Sequence, residues 1–167
     1  ATPTIVVTAP SAVYDGQPHG ATGTVTGVRW AVLGPLTFTY DGAADAPVNA
    51  GTYAVAASYA GDDNYTAASA TATITIGKAA PMLQWAAPAA IAYGTPLSAT
   101  QLNATATVGG TLAYTPAAGT VLAAGTQTLS ATFTPADPAN YTEASVSTTV
   151  DVTKATPTIV VTAPSAV

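Results

Sequence analysis

Residues 1–13 read ATPTIVVTAPSAV, and residues 155–167 read ATPTIVVTAPSAV again, so one string recurs at a spacing of 154 residues. Identity over a string of that length marks tandem duplication. Self-similarity at a fixed period confines a chain to architectures in which one small unit is repeated. A weaker repeat lies inside the long one. Ala1-Thr2-Pro3 aligns with Ala79-Ala80-Pro81, Pro10 with Pro88, Gly16 with Gly94 and Pro18 with Pro96. Ala50-Gly51-Thr52 recurs as Ala124-Gly125-Thr126, and Asn64-Tyr65-Thr66 as Asn140-Tyr141-Thr142, with Lys78 and Lys154 closing the two halves. The expected organisation is a module A over residues 1–78, a diverged module B over 79–154, and the first strand of another A module over 155–167.

Within each module the apolar pattern has period two and is punctuated by Gly, Pro, Asn and Asp, which predicts short strands. In module A they fall at residues 4–8, 12–14, 21–28, 36–40, 52–59 and 70–76. In module B they fall at 82–85, 91–93, 101–108, 111–115, 127–133 and 145–152. Tyr53, Val55, Ala57 and Tyr59 share one strand face, and Ala70, Ala72, Ile74 and Ile76 share another. Alanine is abundant and is the best helix former, but it sits among Thr, Pro and Gly with no apolar stripe at period 3.6. Six or so short strands per module indicate a β-sandwich with a thin core in which many inward positions are Ala.

Charged residues make up 7% of the chain, against roughly 25% in an average globular protein. The three cations are Arg29, Lys78 and Lys154, and the net charge is −5. Three scattered cations cannot neutralise a nucleic-acid backbone or hold an anionic membrane surface. No apolar run approaches the roughly 20 residues of a spanning helix, so no membrane insertion is expected in this segment. The chain has no cysteine, which excludes disulfides and thiolate metal sites.

Several motifs carry a resemblance. Val13-Tyr14-Asp15-Gly16, Asp45-Ala46-Pro47-Val48-Asn49-Ala50-Gly51-Thr52-Tyr53, Tyr59-Ala60-Gly61-Asp62-Asp63-Asn64-Tyr65 and Ile74-Thr75-Ile76-Gly77-Lys78 resemble the MBG/YDG type of bacterial immunoglobulin-like repeat. Tyr93-Gly94-Thr95-Pro96-Leu97 and Ala139-Asn140-Tyr141-Thr142 are similar to a neighbouring type of bacterial immunoglobulin-like repeat. The resemblance implies an all-β fold of two tandem Ig-like β-sandwich modules plus the first strand of a third. It also implies large exported proteins, adhesins among them, in which such repeats serve as stalks, and it implies no catalytic residues. Asn49 to Val55 has the spacing of the Ig segment ending in Tyr-x-Cys, where the tyrosine hydroxyl bonds back to a backbone carbonyl at a sheet corner. Val55 stands in the cysteine position, so packing must replace the bridge. Module B has Gln127 where module A has Tyr53, which leaves a tyrosine corner there in doubt.

Each candidate site has a structural alternative. His19, the only histidine, lies in a turn with no placed nucleophile, and reads as surface rather than as a general base. Asp62 and Asp63 are neighbours in a short loop, unlike the separated carboxylates of a glycosidase. With Asn64 they could offer oxygens to Ca²⁺, but a cation that takes six to eight ligands is poorly served by so few charges. An Asx-type turn is the preferred reading. The triplets at Asn64, Asn103 and Asn140 fit the N-x-[ST] glycan acceptor pattern, a cheap match in a Thr-rich chain. Lys78 and Lys154 read as linker residues ahead of isopeptide donors. Trp30 and Leu33 sit in an apolar loop that is either a contact patch or a flap folded over the sandwich end, with the two readings weighed evenly. Trp85 is expected in a core or inter-module position.

The function expected is a structural module of a secreted or cell-surface stalk or filament, stiffened at short linkers by Pro81 and Pro157, which restrict φ. The structural residues singled out are Gly51, Tyr53, Pro81 and Pro157. Two alternatives stand beside it. One is adhesion or carbohydrate binding through Trp30. The other is self-assembly by strand exchange, in which Thr158, Ile159, Val160 and Val161 fill the slot of residues 4–7 in another chain. The partners expected are neighbouring modules of the same chain, other copies of it, or a host or matrix surface. No enzyme activity, cofactor or nucleic-acid partner is expected.

Overall fold

The computed structural model describes residues 1–161. It is all-β and divides into two compact units. The first comprises Ala1–Ala80 together with Asp137–Thr142, and the second is built on Pro81–Ala136 and on the chain from Glu143 onward.

In the first unit, the β-branched run Thr4–Thr8 forms β1 and pairs antiparallel with β3, Thr22–Thr26. Pro10 follows β1 and has no N–H to give to a ladder. Beyond it the chain crosses to a second sheet, where β2, Ala12–Val13, pairs with β6, Ala68–Gly77. That sheet has the order β2-β6-β5-β4, with β4 at Thr37–Tyr40 and β5 at Gly51–Tyr59. The β2–β6 pair is parallel, and the other pairs are antiparallel.

The core follows from strand alternation. On β5, Val55, Ala57 and Tyr59 are buried, and on β6 so are Ile74 and Ile76; their neighbours Ala54, Ser58, Thr73 and Thr75 face solvent. Val25 and Ala21 cover them from the other layer. Tyr40 lies within this core, and its hydroxyl accepts the Ala21 N–H at 2.9 Å. A buried hydroxyl without such a partner would cost about 1–3 kcal/mol. The strand expected to reach residue 28 stops at Thr26. The Tyr65 ring occupies the space a Cβ on Gly27 would take, and the Val28 N–H turns to the Tyr65 hydroxyl at 3.0 Å.

The second unit repeats the plan strand for strand. Here β7 is Leu83–Gln84, β8 Ile91–Ala92, β9 Thr105–Ala106, β10 Gly110–Thr115, β11 Gly125–Pro135 and β12 Ala144–Thr153. β7 pairs with β9, and the larger sheet has the order β8-β12-β11-β10 with β8 parallel to β12. Leu97, Leu102, Leu122, Leu129, Val150 and Val152 form its core, with Trp85 and Tyr114 packed against them edge to face at 5.3 Å. Trp85 thus sits at the core, and its indole N–H bonds the Gln101 carbonyl at 3.0 Å.

The strand expected over residues 101–108 shrinks to Thr105–Ala106. The N–H groups of Gln101 and Leu102 both go to the Ser98 carbonyl, and the Gln101 side chain accepts from the Ser98 N–H and hydroxyl. A side chain that satisfies its own turn competes with a ladder, so alternation alone overstates this strand.

Ile74 is fully buried. Ile74→Ala is expected to lower the stability of the first unit by about 2–5 kcal/mol, with the second unit unaffected. Amide exchange in denaturant, followed separately for β5–β6 and β11–β12, measures this.

Candidate functional site

Three features of the first unit have the chemistry of contact sites. The first is the tip between β3 and β4. A single 3₁₀ turn, Val28–Trp30, is closed by the Gly27 N–H to the Ala31 carbonyl at 2.8 Å and by the Leu33 N–H to the Val25 carbonyl at 3.0 Å. Arg29 and Trp30 have φ of 55° and 63°. Left-handed backbone costs an L-residue roughly 1–2 kcal/mol, and two such residues in sequence are unusual. The turn holds Trp30 86% exposed between exposed Val28 and Val32. Leu33 is half-buried. Of the two residues marked as contacts in the sequence, Trp30 therefore points outward and Leu33 is folded back.

The second feature is the loop after β5. Asp62 accepts the N–H groups of Asn64 and Tyr65 on Oδ1, at 2.8 and 2.9 Å, and the Tyr59 hydroxyl on Oδ2 at 2.7 Å. This is an Asx turn whose carboxylate is already engaged. Among the described residues no group of three or more His, Cys, Asp and Glu side chains is placed to hold a metal. His19 is paired with Asp15 at 3.0 Å.

The third feature is a clasp formed by the Asn-Tyr-Thr triplet. Ala1 N donates to the Asn64 carbonyl at 2.8 Å, and the Thr66 N–H donates back to the Ala1 carbonyl at 3.0 Å. The same exchange occurs again in the first unit, between Ala79 and the segment Asp137–Thr142. There the Ala79 N–H reaches the Asn140 carbonyl at 2.9 Å and the Thr142 N–H reaches the Ala79 carbonyl at 3.0 Å. This second clasp sits in a built seat. The buried Asn140 side chain accepts the Ala50 N–H at 2.8 Å and donates to Asn49 Oδ1 at 3.2 Å and Asp137 Oδ2 at 2.8 Å. Lys78 Nζ donates to the Pro138 carbonyl at 2.6 Å, and Tyr14 meets Tyr141 edge to face at 5.4 Å.

The triplets serve as the clasp, and the Asn140 amide is committed on both atoms. The signal available in the sequence was the recurrence of the whole triplet in both modules. Asn103 donates to the Thr100 carbonyl at 3.1 Å.

The remaining residues take structural places. The Tyr53 hydroxyl donates to the Asn49 carbonyl at 2.9 Å, and in the second unit Gln127 Nε2 makes the matching bond to the Ala123 carbonyl at 3.1 Å. A glutamine amide thus closes the corner that a tyrosine closes in the first unit. The Tyr53 hydroxyl and ring lie 3.1–3.3 Å from where a Cβ on Gly51 would be, so a side chain there would require the tyrosine that closes the corner to shift. Pro81 is buried and Pro157 exposed. Thr158, Ile159, Val160 and Val161 are exposed and belong to no strand. The last six residues of the reading of 155–167 as a strand lie outside the described residues.

Residues 3–80 match the family model of the MBG domain. No curated protein matches the chain.

The hydrogen bond from Tyr59 to the Asp62 carboxylate, aided by burial, pushes the phenol up to about 12 from its usual 10.0. The same bond, followed by the backbone N–H of Asn64, holds Asp62 below the usual carboxylate value. A raised folded-state value means that the stabilising contribution is complete below pH 10 and fades as pH rises toward about 12. The contribution of Asp62 is complete above the usual carboxylate value and fades as pH falls through its lowered one. Asp62→Asn is expected to bring the Tyr59 titration back toward 10, and NMR titration of the Tyr59 ring measures it.

Proposed function

We propose that this chain is a load-bearing pair of repeat modules from a secreted or cell-surface stalk, and that it works mechanically rather than catalytically. The observation that carries this reading is the parallel pairing of lead-in and exit strands, β2 with β6 and β8 with β12. In a parallel pair the chain enters one strand at one pole and leaves the other at the opposite pole. Tension along the chain then slides the strands past each other and loads their hydrogen bonds together instead of one at a time. The Tyr14 N–H to the Gly77 carbonyl and the Tyr93 N–H to the Thr153 carbonyl, both 2.8 Å, take that load. The internal duplication and the MBG match over residues 3–80 support a repeat-protein setting. Strands held by burial and hydrogen bonds, without disulfides, suit a module that unfolds under load and refolds.

Single-molecule pulling on the chain tests this. Two separate unfolding events are expected, each releasing on the order of 25 nm at roughly 3.5 Å per residue. Tyr14→Pro, which deletes one loaded donor, is expected to lower the force of one event and leave the other unchanged, whereas Tyr14→Phe leaves both unchanged. Smooth extension at low force would end the reading.

The exposure of Trp30 favours a second role, adhesion through the tip, on which an indole face can stack against a sugar ring or an apolar partner. Trp30→Ala is expected to leave stability within about 0.5 kcal/mol. Titration of soluble hexasaccharides against indole fluorescence is expected to shift the emission of the native chain and not that of Trp30→Ala. An unshifted native chain rejects a sugar ligand.

A further inference from the structure

The seat that holds Asp137–Thr142 in the first unit has a counterpart in the second, and that counterpart is a cavity. Tyr93, Ala123, Ala124, Lys154 and Ala155 line a volume of about 350 Å³. Each corresponds to a seat residue of the first unit. Tyr14 and Tyr93 follow the matching strands β2 and β8, and their N–H groups bond the matching carbonyls of Gly77 and Thr153. Asn49 and Ala123 supply the carbonyls that Tyr53 and Gln127 bond. Ala50 and Ala124 precede β5 and β11, while Lys78-Ala79 and Lys154-Ala155 follow β6 and β12.

The donors differ in one respect. In the first unit the Ala50 N–H, the Ala79 N–H and Lys78 Nζ all donate to Asp137–Thr142. Among the described residues, the Ala124 N–H, the Ala155 N–H and Lys154 Nζ have no acceptor. Tyr93 is 55% exposed, whereas its counterpart Tyr14 is half-buried against Tyr141.

We infer that this cavity is the socket for the loop of residues 62–66 in a second copy of the first module. This rests on the reading of the chain as part of a repeat array. The occupant is named by residue identity. Residues 155–167 repeat residues 1–13, so Ala155 is the Ala1 of such a copy. In the first unit Ala1 is clasped by the Asn64 carbonyl and the Thr66 N–H. A copy that folds as the first unit does must therefore close its 62–66 loop on Ala155, which lines the cavity.

The remaining contacts fall into register. The Asn64 side chain, which has no partner among the described residues, meets the Ala124 N–H as Asn140 meets that of Ala50. Tyr65 faces Tyr93 as Tyr141 faces Tyr14. Lys154 meets the segment that carries Asp62 and Asp63, where Lys78 meets only the Pro138 carbonyl. The acceptor lost because Ala123 replaces Asn49 is offset by this opposite charge.

Amide exchange at Ala124 tests the socket. The 167-residue chain is compared with a longer chain in which residues 14–80 follow Val167 and complete the copy. In the longer chain the Ala124 amide is expected to exchange at least about tenfold more slowly, as a buried hydrogen-bonded amide does. Asn64→Ala confined to the added copy is expected to restore fast exchange at Ala124 while the Val55 and Ile74 amides of that copy stay protected. Equal Ala124 exchange in the two chains overturns the socket. So does protection that survives Asn64→Ala, and so does an added copy whose own Val55 and Ile74 amides are unprotected, because the occupant is a folded module. The pulling experiment on the two existing units is unaffected by any of these results, so loss of the socket leaves the load-bearing reading to stand or fall separately.

Discussion

The register of the long hairpin β5–β6, and of its counterpart β11–β12, is the constraint on which the rest depends. Tyr53 opposes Ile74, Val55 opposes Ala72 and Ala57 opposes Ala70, so every inward side chain of one strand lies beside an inward side chain of the next. A slip of one residue would send Val55, Ile74 and Ile76 to solvent and bring Thr73 and Thr75 into the core. With so little apolar bulk available, no other part of the unit could compensate. The same logic holds where Gln127 opposes Val150 and Gly125 opposes Val152. Register here is defended by corners as well as by burial. Tyr53 and Gln127 each tie the start of the strand to a carbonyl four residues earlier, which pins the first pairs of the ladder by a side chain as well as by the backbone.

The parallel strand depends on that hairpin. A two-residue strand such as β2 has almost no stability of its own, and it exists because β6 presents an edge already fixed by β5. Pro10 ends β1 at the place where the chain must leave the smaller sheet, and β2 takes up the open edge beyond it. Edge strands invite pairing with other chains. β2 on β6, and β8 on β12, cover the exit end of the edge strand with two residue pairs each, drawn from the residues that lead into the module. The fold and the proposed load path thus use the same hydrogen bonds.

Where the sequence was legible, it was so because one physical rule dominated. β4, β5, β6, β10, β11 and β12 announce themselves by alternation between an inward apolar face and an outward face of Thr, Ser and Ala, and their observed limits lie within about two residues of those that alternation predicts. Residues 101–108 misled because Gln101 and Ser98 bond within their own turn, a choice that an apolar-polar pattern does not record. Trp30 and Leu33 were indistinguishable as loop apolars, since which of them turns inward is decided by the left-handed conformations at Arg29 and Trp30. The Asn-Tyr-Thr triplets are legible as a repeat, but their role in the clasp is not. A three-residue pattern says nothing of burial, and burial separates the committed amide of Asn140 from the exposed one of Asn64.

That difference bears on why the duplicated unit is a pair of unlike modules. Each triplet loop closes on the Ala that leads into its own module, so whatever precedes that Ala lies next to the loop and must suit it. In the first unit Lys78 and Asn49 meet a loop carrying one carboxylate, Asp137, which is turned to its own loop and to the Asn140 amide, while Lys78 takes the Pro138 carbonyl. The socket we propose at Lys154 and Ala123 lacks the asparagine, and the occupant we assign to it carries Asp62 and Asp63, for which a cation is the better complement. Exchanging the loops would bring two adjacent carboxylates, Asp62 and Asp63, to the Asn49 seat in place of the single one of Asp137, and would leave Lys154 facing one carboxylate in place of two. With the proposed socket, loop and seat diverge together, and the smallest segment that can be copied without breaking a match is the 154-residue pair that the recurrence of residues 1–13 at 155–167 delimits.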